Sequence, residues 1–510
     1  MTLINIRNLG ITLSSPLFSR LNLAVNAGDR IGLVAANGRG KSTLFRCMAG
    51  VLEATEGEIT RARGATVGYV EQNVPPALLP LSFYAAVLDA LPAEQAESES
   101  WRVDVALEGL EVPEKFRTRA LSALSGGWQR LAMLARVAVT EPDVLMLDEP
   151  TNHLDLRKIA MLETWLNALP RDTAVVIASH DRAFLDAVSN RTLFLRPENS
   201  QLFALPYSQA RSALDETDAA DAKRYEGDMK AADQLRRQAA KLHNIGVNSG
   251  SDLLVVKTKQ LKQRAEKLED AARPAHLERW AGAIKLVNRG THAKVLVTLD
   301  DAEVRTPDGT VLFKTGKQFI CQGDRIVLLG ENGAGKSRFI AMLRKAIGNP
   351  DAVQDGIKAT PSLVLGYADQ ALADLKDADT PMETIIRRFD VGDQRARALL
   401  AGAGMTVDMQ AKPLGRLSGG QKARLGMLVL RLTEPNFYLL DEPTNHLDID
   451  GQEALENELM AHQASCLLVS HDRSFVRGTG NRFWQIERKR LVEVESPEGF
   501  FAAAASAGAG

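Results

Sequence analysis

Short apolar runs that stop abruptly at polar or glycine-rich residues occupy the two ends of this chain. A long charged stretch without such runs lies between them. RIVLL (Arg325–Leu329) leads into GENGAGKS, and RIGLVAANGRGKST carries the matching stretch around Lys41. VLMLDEP (Val144–Pro150) and FYLLDEP (Phe437–Pro443) each end in two carboxylates. VVIASHD (Val175–Asp181) and CLLVSHD (Cys466–Asp472) each end in Ser-His-Asp. Unbroken apolar runs of this length read as strands buried on both faces of a sheet. Helices are expected after the second glycine loop (Phe339–Ile347) and after two Ser-Gly-Gly triplets (Gln129–Ala138 and Lys422–Arg431).

These landmarks repeat in register. Lys41 and Lys336 differ by 295 positions, Ser125 and Ser418 by 293, Asp148 and Asp441 by 293, and His180 and His471 by 291. Two copies of one domain are therefore expected, at 1–205 and 294–500. A connector fills 206–293, and the Ala/Gly-rich residues 501–510 should fray.

Composition fits a globular protein, at 45% hydrophobic and 25% charged. No apolar run is long enough to span a bilayer, and the N-terminus lacks the layout of a secretory signal. Cys47, Cys321 and Cys466 form no metal-spaced cluster and suit a reducing cytoplasm. The net charge of −2 confines any nucleic-acid contact to a local patch.

Gly330, Gly335, Lys336 and Ser337 fit G-x-x-x-x-G-K-[ST], with Asn332 and Gly333 inside the loop. In such a loop backbone N–H groups wrap phosphates, the lysine reaches the terminal phosphates and the serine binds Mg²⁺. The first copy keeps Asn37, Gly38, Gly40, Lys41, Ser42 and Thr43, with Ala35 at the first glycine position; alanine is tolerable there if its φ is negative. Arg338 stands where the first copy has Thr43. A strand ending in Asp-Glu delivers both carboxylates to the edge where open α/β sheets bind ligands. Asp148 and Asp441 are placed to hold Mg²⁺, and Glu149 and Glu442 to deprotonate a water. His180 and His471 are placed to bond a γ-phosphate. Gln72 (GYVEQ) and Gln370 (GYADQ) are candidates for the metal shell. Phe18 and Phe313 could stack on adenine, but core packing is the simpler reading.

LSGGWQR, LSGGQKA and two copies of DEPTNHLD (Asp148–Asp155 and Asp441–Asp448) resemble the ATP-binding cassette F family, soluble ATPases with two fused cassettes that act on the ribosome. The resemblance covers nearly the whole chain. It implies an α/β fold of two P-loop NTPase ATP-binding cassette domains joined by a long α-helical hairpin. It also implies two composite ATP sites within one monomeric chain. One would use Lys41, Ser42, Gln72, Asp148, Glu149 and His180, closed by Ser418, Gly419 and Gly420. The other would use Lys336, Ser337, Gln370, Asp441, Glu442 and His471, closed by Ser125, Gly126 and Gly127. Trp128 replaces the usual glutamine of the first signature but leaves its Ser-Gly-Gly intact.

The connector reads as a helix from about Ser208 to His243, a tip at Ile245–Asp252 and a second helix. Asp215–Asp233 carries seven acidic and three basic residues, whereas Arg236–Lys267 carries eight basic and two acidic. The base of the hairpin is thus acidic and its outer part basic. Arg236, Arg237, Lys241, Lys257, Lys259, Lys262 and Arg264 would meet phosphates. In the family this connector reaches toward tRNA in the ribosomal P site, which makes rRNA and tRNA the expected partners. The intervals from glutamine to Ser-Gly-Gly, 52 and 47 residues, leave no room for a large extra arm in the first copy. Alternative functions are the ATPase subunit of a membrane transporter, which needs no basic hairpin, and a DNA-maintenance ATPase.

Overall fold

The computed structural model describes residues 1–13, 16–71, 74–152, 154–249, 252–271, 284–349, 356–368, 377–445 and 447–506. In the first cassette a six-stranded sheet runs in the order Val67–Val70, Val144–Asp148, Ala174–Ala178, Arg30–Val34, Arg191–Phe194 and Gln201–Phe203. All neighbours are parallel except the last pair. The second cassette repeats that core as Leu365–Ala368, Phe437–Asp441, Cys466–Val469, Arg325–Leu329 and Arg482–Glu487. Its sheet then continues through three more strands to Glu303–Arg305. A separate three-stranded antiparallel sheet accompanies each core.

The unbroken apolar runs have the cause expected of them. Every residue of Val144–Asp148 and of Ala174–Ala178 is buried, because both sheet faces are covered. Asp148 pairs in register with Ala178, and Leu33 with the same Ala178. The strand ends carrying Lys41, Asp148 and His180 therefore meet at one carboxyl edge, where such sheets bind ligands.

Between the signature of the first cassette and the preceding sheet strand lie short helices, the longest being Trp101–Gly109 among the described residues. The connector is an antiparallel pair of helices, Tyr207–Ser249 and Asp252–Ala271. The first has 43 residues, or about 65 Å at 1.5 Å per residue. Its root is anchored on both sides. Tyr207, Ala210 and Leu214 enter the core of the first cassette, and Arg196 there holds Asp218 through two bonds of 2.8 and 2.6 Å. Arg211 reaches Asp450 (2.8 Å) and Glu453 (3.1 Å) of the second cassette. The chain is packed against the second cassette by Ile284 and Leu286, and the Tyr438 hydroxyl donates to the Val287 carbonyl at 2.6 Å.

The tail departs from expectation. Glu498–Ser506 is a helix with Phe501 buried, so 501–506 is not frayed; 507–510 lie outside the described residues. Arg477 fixes its start by two bonds to Glu498 (2.7 and 2.9 Å) and lies over the Phe501 ring. Alanine has the highest helix propensity, so the alanines after Phe501 extend the turn that this anchor nucleates. This helix packs on Leu156–Ala168 of the opposite cassette.

Candidate nucleotide sites between the cassettes

Each phosphate loop closes on a glycine that only glycine can supply cheaply. Gly40 (φ 90) and Gly335 (φ 105) precede the helices Lys41–Met48 and Lys336–Ile347. A Cβ on Gly335 would lie 2.9 Å from Leu312 and 3.2 Å from Phe313; on Gly40 it would lie 3.0 Å from Leu17 and 3.3 Å from Phe18. Phe18 and Phe313 are thus buried beneath the loops and act as core, not as exposed adenine platforms. Ala35 is not among the residues of positive φ, and Gly330 is not left-handed either, so the alanine fits without strain. Thr43 lines the cleft between the cassettes, whereas Arg338 is exposed and outside its lining.

The predicted residues converge. Lys41 Nζ lies 3.2 Å from Glu149 Oε1, which lies 3.1 Å from His180 Nε2. In the second site the Lys336 ammonium donates to the carbonyls of Gly330 (2.6 Å) and Glu331 (3.2 Å). The His471 backbone N–H donates to Glu442 Oε2 at 3.2 Å, and its Nε2 lies 3.5 Å from Oε1. Burial pushes the Glu442 carboxyl up to about 8 and, with Lys336 beside it, depresses the His471 imidazole to about 3. The same two causes, with Lys41 in place of Lys336, hold His180 well below its usual value. Both imidazoles are therefore neutral, so each presents one N–H and one acceptor nitrogen.

Glu149 (φ 49) and Glu442 (φ 51) share a backbone conformation that non-glycine residues rarely adopt. Strain of this kind persists where the surroundings over-determine it, and active sites are common places for it. Asp148 is buried, and burial raises its carboxyl despite the Ser42 hydroxyl beside it. Among the described residues, Asp148 Oδ1 and Glu149 Oε2 accept no hydrogen bond, whereas Glu149 Oε1 is paired with the Lys41 ammonium. Buried carboxylate oxygens left this way, next to a serine hydroxyl, fit a hard divalent cation and a polarised water. Gln72 and Gln370 lie outside the described residues, so the metal shell assigned to them has no structural account here.

The two halves face each other across a shared cleft of about 1360 Å³, larger than the 300–1,000 Å³ of an ordinary single-ligand pocket. Its walls hold Lys41, Ser42, Glu149 and His180, Lys336, Ser337, Glu442 and His471, and both Ser-Gly-Gly triplets, Ser125-Gly126-Gly127 and Ser418-Gly419-Gly420. Asp448 Oδ2 accepts from the Asn37 backbone N–H at 3.0 Å, and Asp155 Oδ2 from Asn332 Nδ2 at 3.2 Å. Flanking these contacts, Arg182 pairs with Glu456 and Arg473 with Glu163, each pair crossing the interface.

Several of these residues escaped the sequence reading. Asp155 and Asp448 end the DEPTNHLD runs, but nothing local says that they grip the other cassette's loop. Arg130, in the first signature helix, is buried and donates to the carbonyls of Glu71 and Asp148. It ties the signature helix to the segment that leads into Gln72. The second cassette has Ala423 at that position.

These features define a tandem-cassette ATPase with both phosphate loops lining one cleft between its halves. The family model described as ABC transporter matches residues 18–152 and 318–445. The chain is 34% identical over 505 residues to the ATP-binding protein Uup of Caulobacter vibrioides, covering 96% of this chain and 77% of that one. It is 29% identical over 507 residues to ABC transporter F family member 5 of Arabidopsis thaliana, covering 91% and 72%. It is 28% identical over 517 residues to the putative ATP-binding protein YdiF of Bacillus subtilis, covering 94% and 78%. In fold it is similar to the archaeal ribosome recycling factor aABCE1, solved with the ribosomal stalk protein aP1, with a TM-score of 0.66, 19% identity, and coverage of 98% and 92%. The chain belongs to the ATP-binding cassette F family and is an ATP hydrolase. No helix among the described residues is long and apolar enough to cross a membrane.

Proposed function

We propose that ATP held at the two composite sites closes the cassettes and sets the hairpin into a ribosome, and that hydrolysis releases it. In each site the loop residues Asn37, Gly38, Gly40, Lys41, Ser42 and Thr43, or Gly330, Asn332, Gly333, Gly335, Lys336 and Ser337, cradle the phosphates. The opposing Ser-Gly-Gly faces the γ-phosphate with a helix N-terminus. Glu149 and Glu442 orient and deprotonate the attacking water, and His180 and His471 steady it. Ser42 with Asp148, and Ser337 with Asp441, would hold Mg²⁺, which when bound neutralises charge building on the phosphates.

The observation that carries the ribosome reading is the hairpin. Arg236, Arg237, Lys241, Lys257, Lys259, Lys262 and Arg264 are all exposed on two paired helices. Arg236 is partly neutralised by Glu269, so the remaining six dominate the field. Arg211 links the root of that hairpin to Asp450 and Glu453, two and five residues past the Asp448 that grips the Lys41 loop. Loop, cassette interface and hairpin thus form one connected path. The similarity of fold to a ribosome recycling factor supports the same reading. A transporter motor has no use for such a projection.

Changing Arg236, Arg237, Lys257, Lys259 and Lys262 together to Ala should weaken ATP-dependent co-sedimentation with ribosomes. The loss should be about 100-fold at low salt, with a flatter salt dependence, as phosphate contacts are removed. ATPase activity without ribosomes should stay unchanged. Unaltered ribosome binding would remove the hairpin from the account, and stronger binding to duplex DNA than to ribosomes would move the function to DNA.

A further inference from the structure

At one matched position beside the phosphate loops, one composite site carries a charge and the other carries none. Each phosphate loop receives an aspartate from the opposite cassette: Asp448 at the Lys41 loop and Asp155 at the Lys336 loop. Each aspartate caps the helix that follows it, accepting from the N–H three residues on, Gly451 at 3.0 Å and Lys158 at 2.9 Å. Lys158 and Gly451 are separated by 293 positions, the same offset as the aspartates. One site therefore carries a lysine where the other carries no side chain.

Lys158 stands in an unfavourable place for a cation. It lies in the first turn of Leu156–Ala168, where the helix dipole repels positive charge. Its ammonium is nonetheless held inward, 2.8 Å from Asp155 Oδ2 and 5.1 Å from the centre of the Trp128 ring, with its side chain only 15% exposed. Trp128 is itself packed on Phe116 and follows Ser125-Gly126-Gly127 directly. Lys158 lines the cleft together with Asn332, Lys336 and Ser337, and its charge acts on His471. Departures from local preference of this kind gather at functional positions.

The consequence is electrostatic. An aspartate beside a triphosphate repels it. At the Lys336 loop Lys158 cancels that repulsion, whereas at the Lys41 loop Gly451 leaves Asp448 without such a counter-charge on its own helix. We propose that Lys158 is a positioning residue delivered in trans, which strengthens the hold of the site built on Lys336 on the polyphosphate of ATP. This rests on the composite-site reading.

The test measures equilibrium binding of ATP and ADP with Mg²⁺ in full-length protein carrying Glu149→Gln and Glu442→Gln. One site at a time is disabled by Lys41→Met or Lys336→Met. With Lys41→Met, adding Lys158→Met should weaken ATP binding about 10-fold and ADP binding less, and should flatten the salt dependence. Lys158→Arg should restore affinity, because the charge and the aromatic contact are kept. With Lys336→Met, Lys158→Met should change affinity less than about 2-fold. Equal losses at both sites, no loss at either, or equal losses for ATP and ADP would overturn the proposal. A failure of the composite-site reading would look different: neither Lys41→Met nor Lys336→Met would lower the stoichiometry from two ATP to one.

Discussion

With Glu149 and Glu442 both changed to Gln, steady-state ATP hydrolysis should fall to background while ATP-driven closure of the cassettes persists. A positioned general base contributes about 100- to 10,000-fold, and both sites lose theirs. Glutamine keeps the size and hydrogen-bonding reach of the side chain but cannot take a proton. The backbone at both positions is left-handed, and glutamine tolerates that no worse than glutamate. The change also relieves a cost, since burial disfavours the charged form of Glu442. Closure should therefore be as strong as in the unaltered protein or stronger. Phosphate release measures the first part, and a fluorophore pair spanning the two cassettes measures the second. Hydrolysis at the original rate would reject both glutamates as bases.

The second large effect is expected at the outer rim of the interface. Arg182 with Glu456, and Arg473 with Glu163, are matched ion pairs related by the internal repeat, with side chains 13–17% exposed. Removing one partner of a buried charged pair costs about 2–5 kcal/mol, mostly from the charge left behind. These pairs keep some solvent, so the low end applies, about 2 kcal/mol each. Arg182→Ala with Arg473→Ala should then disfavour closure by about 4 kcal/mol, close to 1,000-fold. The ATP concentration needed for closure would rise accordingly, with each isolated cassette still folded by circular dichroism. Adding Glu163→Ala and Glu456→Ala should recover part of the loss, because those two carboxylates are no longer stranded, while Asp181 and Asp472 still lose the arginines that face them. An unchanged closure midpoint in the double arginine variant would show that the halves do not meet through these faces.

Much of this site was legible in the chain itself, for a simple reason. Its chemistry sits at strand ends and glycine turns, where the local pattern fixes both the element and the direction of the side chain. Lys41, Asp148, Glu149 and His180 needed only the sheet order to come together. The connector helices were legible because a long run rich in Ala, Gln, Lys and Glu has few other options; the first runs on to Ser249 rather than ending near His243. What the sequence did not display are contacts between distant segments. Asp155 on the Asn332 loop, Arg182 on Glu456 and Arg473 on Glu163 join residues 177 to 310 positions apart, with no shared periodicity to announce them. The left-handed backbone at the two glutamates was equally hidden, because glutamate carries no conformational signature. The terminal helix was misjudged because Phe501 finds a pocket only once Arg477 and the opposite cassette are in place.

Whether each signature serves the opposite cassette's nucleotide is tested most directly by single-turnover hydrolysis with Ser418→Arg. In a Glu442→Gln protein, where only the Lys41 site is competent, Ser418→Arg should abolish the remaining turnover. In a Glu149→Gln protein, where only the Lys336 site is competent, the same change should leave turnover largely intact. The reverse pattern, with Ser418→Arg silencing the site of its own cassette and sparing the other, would contradict the account.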